Sequence, residues 1–220
     1  MWRAFLYGMV IAAATGLGWS QGESLPKFRA EAVGRMPDEN LTVFGTTVII
    51  PNGLKGLIYE IPPLTTDLPK FEKLKPIGVI YTYRLNIPSQ DFMMGFPGVT
   101  KRNEWFAIDY TGRFYIDTPG KYAFFTASDD GTRLYIDGKL LIENDGIHSM
   151  IVREAGIKLS GGLHSIRLSY FQGPRYDLGL ILGVRRPVDR DWILFDMNLF
   201  KPPTKAEDWK YGSPDDLSKP

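Results

Sequence analysis

Tyr135-Ile136-Asp137-Gly138-Lys139-Leu140 sets an Asp-Gly pair between two apolar runs, Arg133 to Ile136 and Lys139 to Glu143. A two-residue connection of this kind needs positive φ at both central positions, which Asp tolerates and Gly adopts freely, so the stretch predicts a tight β-hairpin. Reading outward, short β-compatible runs recur between Gly, Pro, Asp and Asn punctuation: Ile77 to Tyr83, Glu104 to Tyr110, Arg113 to Asp117, Lys121 to Ala127, Ile151 to Leu159, Leu163 to Phe171 and Asp177 to Arg185. In the penultimate run His164, Ile166, Leu168 and Tyr170 fall on one face and Ser165, Arg167 and Ser169 on the other, the period of a half-buried strand. No amphipathic helix of comparable strength is present. Many short strands joined by such turns predict an all-β, antiparallel sandwich or barrel.

Upstream, Gly53 to Pro76 opens with the apolar run Leu54 to Tyr59 and then turns Pro-rich at Pro62, Pro63 and Pro69, which predicts one strand and a loop. Residues 21–52 read as a leader, with a β-rich stretch from Val43 to Ile50 as an added edge strand that Pro51 ends. Downstream of Pro187 the pattern fades through Val188 to Phe200, a covering strand, into a polar tail from Lys201 to Pro220 that is expected to be disordered. At the N-terminus Arg3 precedes an apolar run from Ala4 to Leu17, then Gly18 and Ser20 before Gln21. The run is short against the roughly 20 residues of a membrane span, so residues 1–20 are expected to be a cleaved signal peptide, with a secreted or periplasmic product and no stable membrane insertion. The expected organisation is 1–20 signal peptide, 21–52 leader, 53–187 sandwich, and 188–220 extension and tail.

A chain of 220 residues with 44% hydrophobic and 13% aromatic content can bury a sizeable core as one unit. Its 26 basic and 25 acidic residues leave a formal charge of +1, which argues against nucleic acid as a partner. The absence of cysteine removes disulfides, thiolate nucleophiles and Cys-based zinc sites. His148 and His164 are the only histidines, and no Gly-x-Ser-x-Gly, His-Glu-x-x-His or phosphate loop occurs. Asn144-Asp145-Gly146 with His148 reads first as a turn with a structural histidine and offers no second partner at ligand spacing. The chain is therefore not expected to be an enzyme.

The segment Gly120-Lys121-Tyr122-Ala123-Phe124-Phe125-Thr126-Ala127-Ser128-Asp129-Asp130-Gly131-Thr132-Arg133-Leu134-Tyr135-Ile136-Asp137-Gly138 resembles the central signature of the PA-fourteen domains, the anthrax protective-antigen-type β-sandwich family. Leu141 to Gly146 with His148, and Gly161-Gly162-Leu163-His164 leading to Tyr170-Phe171-Gln172-Gly173, continue the resemblance over roughly Gly53 to Pro187. It implies a sandwich fold and an accessory module; several members of the family bind sugars. In sugar-binding adhesin members, adjacent carboxylates matching Asp129 and Asp130 chelate calcium across a cis peptide, and the ion holds two sugar hydroxyls. The resemblance thus implies calcium at Asp129 and Asp130, with a second loop, Gln172 to Tyr176, completing the ligand site through Gln172, Arg175 and Tyr176. This sequence has Gln172 where the adhesin pattern has an asparagine. On residues alone, Ser128 to Gly131 is equally a tight Asx-type turn. Trp105, Tyr110, Tyr115 and Tyr122 stand at strand spacing and read as core, leaving Tyr176 as the exposed aromatic. The expected function is a secreted, carbohydrate-associated binding module, with a glycan or cell-envelope polysaccharide as partner. The alternative is a structural or protein-interaction module of the cell envelope without a sugar site.

Overall fold

The computed structural model describes residues 44–174 and 177–211. The expected signal peptide, most of the leader, Arg175, Tyr176 and the last nine residues lie outside them. Among the described residues eleven strands form: β1 (Leu54–Glu60), β2 (Gly78–Thr82), β3 (Asn86–Asp91), β4 (Phe106–Ile116), β5 (Gly120–Asp129), β6 (Thr132–Ile136), β7 (Lys139–Asn144), β8 (Ile151–Leu159), β9 (Gly162–Gln172), β10 (Asp177–Arg185) and β11 (Ile193–Leu194). One sheet has six strands in the order β2-β1-β4-β9-β6-β7; the second runs β11-β10-β5-β8, with β3 also on β10. Every pairing is antiparallel. The chain is an all-β antiparallel sandwich, one of the two architectures that the turn chemistry and alternation predict and the one that the family resemblance implies.

The Asp137-Gly138 hairpin forms between β6 and β7, with Ile136 opposite Lys139 and positive φ at both Asp137 (50°) and Gly138 (73°). Asp137 also braces β9: its Oδ1 accepts from Ser165 N–H at 2.9 Å, and its Oδ2 lies 2.7 Å from His164 Nδ1. On β9 the alternation holds over the first part of the strand, with His164, Ile166, Leu168 and Tyr170 buried and Ser165 and Arg167 exposed, whereas Ser169 is buried too and donates its hydroxyl to Asp109 Oδ1 at 2.8 Å. The two runs read on either side of Thr111-Gly112 are one strand, β4, in register with β9 from Phe106↔Gln172 to Ile116↔Gly162. Gly112 does not interrupt it; a Cβ there would meet Leu54 Cδ2 at 2.9 Å, so the position serves close packing of β1's side chain.

Three segments differ from their reading. Of the stretch read from Val43 to Ile50, the described residues 44–50 make one bridge, Thr46 with Tyr81, because Thr46 Oγ1 accepts from Val48 N–H at 3.2 Å and turns the chain off the edge of β2. Phe44 still enters the core, its ring 5.6 Å from those of Phe106 and Tyr170. Asn86–Asp91, unmarked by any apolar run and carrying Pro88, pairs as the edge strand β3. The compact unit also continues beyond Pro187. Phe195, Met197 and Phe200 are buried, and the Phe195 ring stacks on Phe200 at 5.0 Å and lies 5.6 Å from Phe114. Residues 201–211 then run along the sandwich in place of the expected disorder. Trp209 sits edge-on to Tyr115 at 5.5 Å, and Lys210 Nζ reaches Asp117 at 2.7 Å. Among the described residues no helix is long and apolar enough to cross a membrane.

Candidate functional site

Three connections meet at one end of the sandwich: Asp130-Gly131 between β5 and β6, residues 145–150 between β7 and β8, and Gly173-Pro174, which follow β9. Ser128, the last inward side chain of β5, anchors the first. Its Oγ lies 3.1 Å from Thr132 Oγ1 and accepts from Asn144 Nδ2 at 3.0 Å, so a buried hydroxyl network fixes where β5 ends and β6 begins. The Asp129–Asp130 peptide is cis. Gly131 is required by contact, because a Cβ there would come within 2.5 Å of Phe171 Cε1, 2.7 Å of Asp145 Oδ1 and 2.9 Å of Gly146 N. The turn and the 145–150 connection therefore touch through backbone.

The two carboxylates are buried, at 9% exposure for Asp129 and 3% for Asp130. Asp130 Oδ1 accepts from His148 N–H at 3.0 Å and Oδ2 from Gly173 N–H at 2.8 Å, one donor from each neighbouring connection. Asp129 accepts from the Met150 N–H. Loss of water raises both carboxyls. For Asp129, desolvation first and the charge of Asp130 second push the pKa up to about 6, against the lowering influence of His148 and the Met150 amide. For Asp130, desolvation raises the pKa while the Gly173 and His148 amides oppose it. Among the described residues, no Lys or Arg forms an ion pair with either carboxylate.

Gln172 lies beneath the second connection, 2% exposed. Its Oε1 accepts from Tyr170 OH at 2.7 Å, and its Nε2 donates to Pro174 O at 3.2 Å and Asp177 O at 3.4 Å, so its amide is engaged at both ends inside the protein. Tyr170 OH also lies 2.8 Å from Asp129 O, which links the support of one connection to the carboxylate pair on the other. Arg175 and Tyr176 lie outside the described residues. Ile147 was not singled out by sequence reading. It is 47% exposed beside Asp130, and its side chain lies 3.6 Å from the Cβ direction of Gly173. An isolated apolar residue in a polar turn carries no periodic signal that could have marked it.

Among the described residues, no group of three or more His, Asp or Glu side chains is placed to hold a metal ion. The donor set at Asp129 and Asp130 is nonetheless of the right kind for calcium: two hard, anionic oxygen ligands, desolvated and without a basic partner among the described residues. Calcium takes 6–8 oxygens, so these side chains would supply part of a shell that backbone carbonyls, water or ligand hydroxyls would complete.

Residues 89–190 match the sequence model of the PA14 domain family. These residues form a PA14 domain. The solved structures similar to the chain include the PA14 domain of the antifreeze protein MpAFP, with TM-score 0.56 and 16% identity over 75% of this chain and 94% of that one. They also include a PA14 sugar-binding domain from an RTX adhesin, with TM-score 0.56 and 18% identity over 67% of this chain and 96% of that one. An anti-sigma factor domain-containing protein aligns with TM-score 0.54 and 22% identity, over 69% of this chain and 49% of that one. In sequence, the chain is 30% identical over 86 residues to the anti-sigma-I factor RsgI3 of Acetivibrio thermocellus, which covers 39% of this chain. The match spans 13% of that protein's length. The structural likenesses establish the shared PA14 fold.

Proposed function

We propose that this PA14 domain is a non-catalytic binding module that takes carbohydrate at the Asp129–Asp130 end of the sandwich with calcium as cofactor. The observation that carries the reading is the adjacent pair of buried carboxylates, held by backbone N–H donors and without a Lys or Arg ion-pair partner among the described residues. Two like charges side by side in a desolvated turn are unfavourable unless a cation joins them. When bound, calcium supplies that charge and coordination positions that paired sugar hydroxyls can fill. The protein's own contribution is to aim the carboxylates: His148, Met150 and Gly173 amides hold their inward lone pairs and leave the remainder for a ligand. Ile147 lies beside them as an apolar wall on which the C–H face of a pyranose can rest. The likeness to a sugar-binding domain of an adhesin agrees with this assignment.

Calorimetric titration with calcium, followed by a glycan array with and without EDTA, tests the reading. Calcium is expected to bind wild type and not Asp130→Asn, and glycan signal is expected to vanish with EDTA. A folded wild-type protein that binds neither calcium nor any glycan would overturn it. That result would favour the second reading, a protein-interaction module of the cell envelope, for which the likeness to part of an anti-sigma factor is the motivating observation.

A further inference from the structure

Asp145 belongs to the Asn144-Asp145-Gly146 turn that the sequence marks only as a turn. A turn role accounts for one of its contacts, Oδ1 accepting from Gly146 N–H at 2.9 Å. It does not account for the others. The same Oδ1 accepts from Leu68 N–H at 2.9 Å, across 77 residues of sequence. Oδ2 is buried without a hydrogen bond among the described residues and faces Arg133 Nη2 at 3.0 Å, and the side chain is only 7% exposed. Arg133 is itself held by Glu143, with Nε 2.8 and 2.9 Å from the two carboxylate oxygens. Leu68 packs with Tyr59, Ile61, Phe71, Ala107 and Phe171 in a separate cluster under the Pro-rich segment. Phe171 in turn donates its N–H to Gly131 O at 3.0 Å. Asp145 therefore ties three bodies together: the Pro-rich segment through Leu68, strand β6 through Arg133, and the Asp129–Gly131 turn that it packs against. Three and five residues further on, the same connection delivers the His148 and Met150 amides to Asp130 and Asp129.

We propose that Asp145 is a positioning residue that sets the calcium affinity of the Asp129–Asp130 pair without touching the ion. It does so by clamping residues 145–150 so that their amide donors aim the two carboxylates. The proposal rests on the calcium reading above. An Ala in its place frees Leu68 N–H, Gly146 N–H and Arg133 together, and lets the connection drift from the turn. An Asn keeps the Oδ1 acceptor for both amides, gives up the ion pair and sets an amide donor where Oδ2 faced Arg133.

The test compares Asp145→Ala and Asp145→Asn with wild type, using calcium titration and, separately, amide hydrogen exchange in EDTA. Asp145→Ala is expected to weaken calcium binding about 10–100-fold, the usual cost of losing an outer-shell support, and Asp145→Asn is expected to recover most of it. In the metal-free protein, Asp145→Ala should speed exchange of the His148 amide at least about tenfold while β5 amides such as Phe124 and Phe125 stay protected. Uniformly faster exchange across β5 would reduce Asp145 to a general stabiliser and overturn the proposal. Unchanged His148 exchange with unchanged calcium affinity would overturn it equally. If wild type binds no calcium, the calcium reading fails with the affinity claim, and the His148 exchange rate still shows whether the clamp exists.

Discussion

Replacing Asp129 by Asn should make the metal-free protein more stable at neutral pH, although it removes a candidate ligand. Burial and the neighbouring Asp130 raise the Asp129 carboxyl from 3.8 to about 6. At about 1.36 kcal/mol per unit, that gap sets a ceiling of roughly 3 kcal/mol on the cost of its ionisation in the folded state. Buried sites in proteins respond as a medium far more polar than a dry interior, which brings the effect to about 1–2 kcal/mol. Between pH about 4 and about 6 the folded protein retains a proton that the unfolded chain has released. Stability contributed by this group is thus fully present below pH about 4, falls as pH rises through about 6, and stays lost above. Asn keeps the shape and can still accept from the Met150 amide, so the variant lacks that decline. In differential scanning calorimetry with EDTA, the Tm advantage of Asp129→Asn should grow from near zero at pH 4 to about 2–8 °C above pH 6.5, at roughly 2–4 °C per kcal/mol for a chain of this size. Calcium at about 100 times its Kd should then stabilise wild type by about 2.7 kcal/mol and leave the variant unmoved. Superimposable wild-type and variant profiles in EDTA from pH 4 to 8, or a variant less stable at pH 7.5, would refute the assignment of a desolvated carboxylate at Asp129.

Two further substitutions probe the scaffold. Tyr170→Phe deletes the hydroxyl that serves Asp129 O and Gln172 Oε1, leaving buried acceptors unpaired, and should cost about 1–3 kcal/mol in urea unfolding; a loss under about 0.5 kcal/mol would show that water replaces the bond. Phe195→Ala, in the aromatic cluster with Phe114, Phe124 and Phe200, should cost about 3–5 kcal/mol by thermal melt, whereas a near-neutral result would place residues beyond Pro187 outside the cooperative unit.

The strands and turns that carry strong local signals were legible. The Asp137-Gly138 hairpin, the alternation of β9 and the limits of β8 and β10 follow from interactions between residues a few positions apart, which act the same way in any sandwich. The adjacency of Asp129 and Asp130 and the turn at Gly131 were visible for the same reason. Segments with weak local preference were not. The β3 strand carries Pro88 and polar residues and exists because β10 offers it an edge, and Gly112 stays inside β4 because Leu54 fills the space beside it.

The sequence by itself determined the fold class, the register-setting turn and the identity of the carboxylate pair. Only the tertiary structure decided what surrounds that pair. Gln172 turns its amide inward to Tyr170, Pro174 and Asp177, and Asp145 meets Leu68 from 77 positions away. Both outcomes depend on how two sheets close over one core and bring three connections to the same end. Hydrogen-bond partners there are chosen by proximity in space, under the constraint that buried polar groups find donors or acceptors, and spacing along the chain carries no record of that choice.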